Sequence, residues 1–390
     1  MLKFFKNPFY IYLVSFGLVF LLYLLGWSSA FPKLSFGAYA FFSLTFILYL
    51  IFGLITEKAS IIGYKKIVIK KGFTIKKGLI VVFFVLGIEI LFEGNSPLFY
   101  LLFGGKEIDY KDFGIKVIHV FFVSFTSFLI VYSFHTLISN KGRKNLVYFI
   151  LTLLPGIIIL NRGMIMIGLF SCFFVFILSL NYMIKLKQIL LLVMIFLGVL
   201  YVFGYLGNLR SANGDSNYIP LKSGATESFM DSPIPKEFYW TYLYGASPVA
   251  NFQNTINKTE TVDYNIISLI VQECLPDFIS KRIVSVFNME EKQIIRIRDW
   301  LTVGGVYSKS YAHAKWIGPI ILSFYGVFFL LIMMMLVPKR SNFHVTQIAI
   351  LLAMMFFNTF SNMFVFSGIV LQLVYPIFFR FFENKRIVLK

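Results

Sequence analysis

The chain has 390 residues, 58% of them hydrophobic and 14% charged, with 48 Phe and a net charge of +18. A soluble chain carries roughly 25% charged residues, so this composition excludes an ordinary soluble domain, and the apolar residues gather in blocks near the ~20 residues that a bilayer crossing takes. Runs such as Phe9–Gly26 and Ile189–Tyr205 lack two-residue alternation, which excludes a β-barrel and leaves helices that close their own backbone hydrogen bonds in lipid.

In chain order, spans are predicted over 9–26, 36–56, 78–93, 115–138, 146–160, 164–182, 188–205, 316–337, 345–361 and 364–382. The expected fold is an all-α polytopic membrane protein of about ten transmembrane helices. Residues 1–205 form a first membrane bundle of about seven spans, 206–315 one large extracytoplasmic loop, and 316–390 a second bundle of about three. Trp27-Ser28-Ser29-Ala30 looks like a cleavage site, but the block before it is long and is read as an uncleaved signal anchor.

The connections fall into two alternating sets. One comprises Lys3 and Lys6, the 57–77 segment, Lys141–Lys144, Lys185 and Lys187, Lys339 and Arg340, and the tail from Arg380; it holds 20 Lys/Arg against 2 Asp/Glu. The other, with Glu89 counted in, holds 16 of each, so the entire net charge lies on alternate loops. The positive-inside rule makes the basic set cytoplasmic, with both termini inside. Topology therefore accounts for the basic character, and no nucleic-acid partner is expected. All four Trp fall on the predicted outer side.

Two helix pairs are short. The 146–182 pair turns at Asn161-Arg162-Gly163 after about fifteen residues, or ~22 Å, against a hydrocarbon core of ~30 Å; its turn is expected to be recessed, as is that of 345–382 near Asn358, Ser361 and Asn362. In the large loop, amphipathic helices are expected at 236–257, 264–274, 277–287 and 289–299, the last opened by Asn288 and Glu291 as a capping box. Cys172 and Cys274 lie too far apart along this topology for a disulfide, and neither a metal-binding motif nor a P-loop is present, so no cofactor is expected.

A charge at membrane depth is costly unless it is paired or functional. Arg162 reads as a snorkelling side chain, a partner of Glu89, or a fork that grips phosphate in an outward cavity. Arg210 reads as an interfacial cation or a second phosphate contact. Arg296 and Arg298, two apart, face different sides of the expected helix, so one of them at most points into a site. Glu89 is a counter-ion or a general base for a sugar hydroxyl. Of the four His, His119 and His313 lie near the outer edge; His313, with Lys315 and Trp316 close by, is the preferred acid/base or phosphate contact.

In order along the chain, several segments resemble the oligosaccharide repeat-unit polymerases of the Wzy type. Glu93-Gly94-Asn95-Ser96-Pro97-Leu98, then Tyr110-Lys111-Asp112-Phe113-Gly114-Ile115 and His119, resemble the first outer loop of that family. Asn161-Arg162-Gly163 resembles its Arg-containing turn, Gly207-Asn208-Leu209-Arg210 the start of its large outer loop, and Phe238–Phe252 its aromatic helix ending in Ser-Pro-x-x-Asn.

The resemblance implies a GT-C-like glycosyltransferase of the bacterial cytoplasmic membrane. Such an enzyme transfers a growing glycan from undecaprenyl pyrophosphate to the next lipid-linked repeat on the outer face, without a cofactor. Its partners would be the lipid-linked oligosaccharide, the bilayer and a chain-length regulator. In those terms Glu89 and His313 become catalytic candidates, Arg162, Arg210 and Arg298 pyrophosphate contacts, and Trp240, Tyr242, Tyr244, Asn251 and His119 glycan contacts. An O-antigen-ligase-like transferase shares the architecture. A flippase for lipid-linked sugars is the alternative of another class, although inverted repeats and short loops are lacking.

Overall fold

The computed structural model describes residues 4–67, 73–104, 112–180, 186–260 and 264–383. Each of the ten apolar blocks contains helix. The first eight helices are Pro8–Leu24 (α1), Phe36–Lys58 (α2), Ile75–Glu93 (α3), the short Pro97–Phe103 (α4), Lys116–Ser139 (α5), Arg143–Ile158 (α6), Arg162–Ser179 (α7) and Leu186–Ala212 (α8). Tyr218–Lys222 (α9), Glu227–Met230 (α10), Phe238–Lys258 (α11), Ile266–Cys274 (α12), Asp277–Val286 (α13) and Ser308–Ala314 (α14) follow in the long loop. Ile317–Leu336 (α15), His344–Phe357 (α16), Ser367–Val370 (α17) and Val374–Arg380 (α18) are the last helices among the described residues. Side-chain caps start several of them where the sequence supplies an oxygen: Asn7, Ser35, Thr74, Ser96, Asn161 and Asn265 each accept from a backbone N–H in the first turn. The tenth block is not one regular helix. Leu371–Leu373 is a 3₁₀ turn between α17 and α18, because Pro376 cannot donate to the carbonyl four residues back.

Among the described residues, five helices are long and apolar enough to cross a bilayer: α2, α5, α7, the Val193–Ser211 part of α8, and α15, with shorter apolar helices over Pro8–Leu24, His344–Phe357 and Ser367–Arg380. The fold defines a helical, multi-pass membrane protein. The two bundles expected from chain order share one core. α16 sits at its centre, with Ile348–Met355 fully buried, and it packs against α1, α5, α7 and α15.

The connections gather at two ends. At one, Lys6 donates to the Leu180 carbonyl (2.6 Å), Lys65 to that of Arg340, Asn140 to that of Ile67 (2.9 Å), and the Asn342 N–H to Glu383 (2.7 Å). At the other, Ser28 donates to the Ser223 carbonyl (2.9 Å), the Ser35 N–H to Gln253 (2.9 Å), and the Asp277 N–H to the Val365 carbonyl (2.7 Å). The contacts named at the first end join loops of the basic set, and those named at the second join loops of the charge-balanced set.

The 358–366 turn lies below the start of α7. Phe170, midway along α7, meets Phe356 and Phe357 at the end of α16 with ring centroids 4.5 and 5.1 Å apart. The eight residues of α7 before Phe170, about 12 Å of helix, extend beyond that level. The long loop fills the space above the turn: the N–H groups of Gly304 and Gly305 donate to the Phe360 carbonyl at 3.2 and 3.0 Å.

One expected helix does not form. Residues 289–299 have no helical turn, and Asn288 adopts a positive φ of 48° instead of capping. Their backbone is bonded by side chains of α11 instead, so Arg296 and Arg298 are not on opposite faces of a helix.

Candidate functional site

Glu89 and Glu93 are one turn apart on α3, so their side chains share a face. His119 lies in the first turn of α5. The chain between the two helices passes over this face at Phe113 and Gly114. Gly114 has a φ of +91°, and a Cβ there would stand 2.6 Å from His119 Nδ1 and 2.9 Å from the Glu89 carboxyl carbon. Glycine is therefore required twice, by conformation and by space. Its N–H donates to Glu93 Oε1 at 3.2 Å.

Under this cover His119 Nδ1 stands 3.0 Å from Glu89 Oε2, with Glu89 0% exposed and the imidazole 16% exposed. Phe113 meets the ring edge-on at 5.8 Å and Phe122 lies 5.9 Å away. A carboxylate facing Nδ1 favours the tautomer that carries its proton there, which leaves the Nε2 lone pair free to accept one. Glu89 Oε1 is buried without a hydrogen-bond partner among the described residues. The carboxylate is thus too deep to meet a substrate itself, whereas the imidazole it orients is not.

The structure separates the readings of Glu89: its partner is His119, not Arg162. Arg162 is the first residue of α7, exposed, and its guanidinium makes no hydrogen bond or ion pair with the described residues. A cation gains nothing from the positive end of a helix dipole, so local structure does not explain it. Arg210 is exposed in the last turn of α8, where the dipole does favour it. α7 packs on α5, α6 and α16, and α8 on α9 and α11; no described contact joins the two guanidiniums. Arg298 is exposed on the non-helical 289–299 segment.

The aromatic helix α11 is a core element rather than an open wall. Trp240 is buried and donates from Nε1 to Asn208 Oδ1 at 2.7 Å, fastening α8 to α11. α8 comes this close because Gly204 and Gly207 face α11; a Cβ on Gly204 would stand 2.0 Å from the Glu237 carbonyl oxygen. Tyr242 is buried between Trp27 and Phe31, and its hydroxyl accepts from the Ser28 N–H at 3.2 Å. Asn251 is buried with both polar atoms bonded to backbone. Of the four residues expected there to contact glycan, Tyr244 alone keeps part of its surface; it stacks on Trp240 at 5.9 Å.

His313 on α14 is 1% exposed, and its Nε2 lacks a partner among the described residues. Burial, with Lys292 and Lys309 nearby, pushes it down to about 4, which favours the neutral imidazole at pH 7. Sequence reasoning missed Glu273. This buried carboxylate on α12 accepts from Asn362 Nδ2 at 3.0 Å, and burial raises it to about 7 against the lowering effects of Asn362 and Lys309. Asn362 stood out at its turn, but its partner is 89 residues away and no local pattern links them.

Cys172 and Cys274 are both free and buried. Among the described residues, no three His, Cys, Asp or Glu side chains converge as a metal site. No family model, curated protein or solved structure matches this chain.

Proposed function

We propose that this protein is a polymerising glycosyltransferase. On this reading it transfers a growing glycan from undecaprenyl pyrophosphate to the next lipid-linked repeat on the outer face of a bacterial cytoplasmic membrane. The observation that carries the reading is the buried Glu89 carboxylate holding a partly exposed His119 imidazole at the long-loop end of an apolar helical bundle. His119 Nε2 takes the proton of the acceptor hydroxyl as its oxygen bonds to the anomeric carbon of the donor. The bond from that carbon to the pyrophosphate oxygen breaks, and the lipid pyrophosphate leaves. General-base assistance of this kind contributes about 10²–10⁴-fold. Glu89 orients the imidazole and balances its charge when protonated.

Arg162, Arg210 and Arg298 are the exposed cations assigned to the pyrophosphate, Arg162 because an anion at a helix N-terminus benefits from both the N–H groups and the guanidinium. Tyr244 is the aromatic assigned to the sugars. His313 acts as a neutral hydrogen-bonding group. The protein needs no cofactor and works beside a chain-length regulator.

The topology that goes with this activity has ten crossings and both termini in the cytoplasm. Its support is the agreement between the charge sets and the contact sets of loops. Ser60→Cys is expected to be shielded, and Ser216→Cys labelled, by an impermeant thiol reagent applied to intact cells. Labelling at position 60 would reverse or break the topology.

Glycan analysis of a deletion strain tests the function. Single repeats attached to their final acceptor, with no polymer, are expected. Free lipid-linked polymer would instead indicate a ligase-like transferase, and lipid-linked repeats confined to the cytoplasmic leaflet a flippase.

A further inference from the structure

Residues 295–303 run without helical structure along α11 and are tied to it by three side chains spaced over little more than one turn. Asn254 Nδ2 donates to the Ile295 carbonyl at 2.9 Å, and the Ile295 N–H donates to Thr255 Oγ1 at 3.3 Å. The Ile297 N–H donates to Asn251 Oδ1 at 2.9 Å, and Asn251 Nδ2 donates to the carbonyls of Leu301 and Val303, both at 2.8 Å. Both donors of the Asn251 amide are thus engaged, on carbonyls at two points of the segment, and one of its acceptor positions on a third. Ile297 packs partly buried against the core that contains Leu301, whereas Arg296 and Arg298 are exposed. The chain bends at Ile297 and Arg298, so both arginines leave the strap at one bend. Arg296 also donates to the Asp299 carbonyl at 3.2 Å, which keeps it beside the turn at 298–301 within the segment.

We propose that Asn251 is a positioning residue: it fixes the 295–303 strap so that Arg298, with Arg296 beside it, is presented as a paired guanidinium contact for a diphosphate group. The inference rests on the reading of Arg298 as a pyrophosphate contact and assigns Asn251 to the strap rather than to the glycan. Asn251 is buried and reaches no ligand; it acts through the register of the strap, because losing its amide frees three backbone groups across seven residues. Asn254 and Thr255 hold only the beginning of the same segment.

The test measures binding of inorganic pyrophosphate to the purified full-length protein in nanodiscs, together with its thermal midpoint. Arg298→Ala is expected to weaken binding about tenfold or more, the scale of a lost charge-assisted hydrogen bond. Asn251→Ala is expected to weaken it to a similar degree. The double variant is expected to be no weaker than Arg298→Ala alone, since residues acting through one contact are not additive. If Asn251→Ala does not fold, Asn254→Ala makes the same comparison and is expected to lose less. Wild-type affinity in Asn251→Ala while Arg298→Ala is weakened overturns the positioning role alone, as do additive losses. Unchanged binding in Arg298→Ala overturns the pyrophosphate reading and the inference built on it.

Discussion

Replacing His119 with Ala is expected to lower glycan polymerisation about 10²–10⁴-fold, the range for loss of a general base, at unchanged protein level. His119 is the one member of the buried pair with exposed surface, and its Nδ1 is held 3.0 Å from the Glu89 carboxylate. Glu89→Gln keeps the shape but removes the charge that fixes the tautomer and stabilises the imidazolium. It is expected to act in the same direction, and combining it with His119→Ala should cost little more, because the two act as one unit. Gly114→Ala is expected to match them without touching either group, since its methyl would stand 2.6 Å from His119 Nδ1 and 2.9 Å from Glu89. Polymer length and yield, measured with membrane protein level, check all three variants. Normal polymer from His119→Ala would remove the pair from the chemistry.

Glu273→Gln is expected to raise thermal stability at pH 8 and to flatten its dependence on pH. The carboxyl is held at about 7 in the folded protein, above the ~4.3 of an unfolded chain. The folded state therefore binds this proton more tightly. Its favourable contribution is complete below pH ~4, declines as pH rises between the two values, and is lost above about 7. The difference corresponds to roughly 4 kcal/mol across that window. Gln removes the titration and still offers an oxygen to the Asn362 amide, which lies 3.0 Å from Glu273 Oε2. Unfolding midpoints of purified protein between pH 5 and pH 8 are expected to fall for the wild type and to stay level for Glu273→Gln. Equal slopes would mean that another group titrates.

The helices were legible because lipid imposes a simple rule: every apolar block must satisfy its own backbone, and Asn7, Ser35, Ser96 and Asn161 stand where caps are needed. The two sets of loops were legible in Lys and Arg placement. The site was legible only as a list. Glu89 and His119 were both singled out as residues, but their pairing depends on Gly114 letting the chain cross over them, and nothing in the local pattern announces that crossing. Asn288 and Glu291 have the spacing of a capping box, yet Asn251, Asn254 and Thr255 hold the segment in a non-helical form. Tertiary hydrogen bonds there override a local signal. The aromatics of α11 misled for a related reason. Composition cannot distinguish a ring that faces sugar from one that packs under a loop, and Trp240 reaches Asn208 32 residues away.

The most direct test of the account is reconstitution. Purified protein in proteoliposomes would be given one chemically defined undecaprenyl-pyrophosphate-linked repeat, with no nucleotide sugar and no other enzyme. The account predicts a ladder of lipid-linked polymer, one undecaprenyl pyrophosphate released for each repeat added, and neither product from His119→Ala. Movement of the repeat across the bilayer without any new glycosidic bond, or a wild-type ladder from His119→Ala, would contradict it.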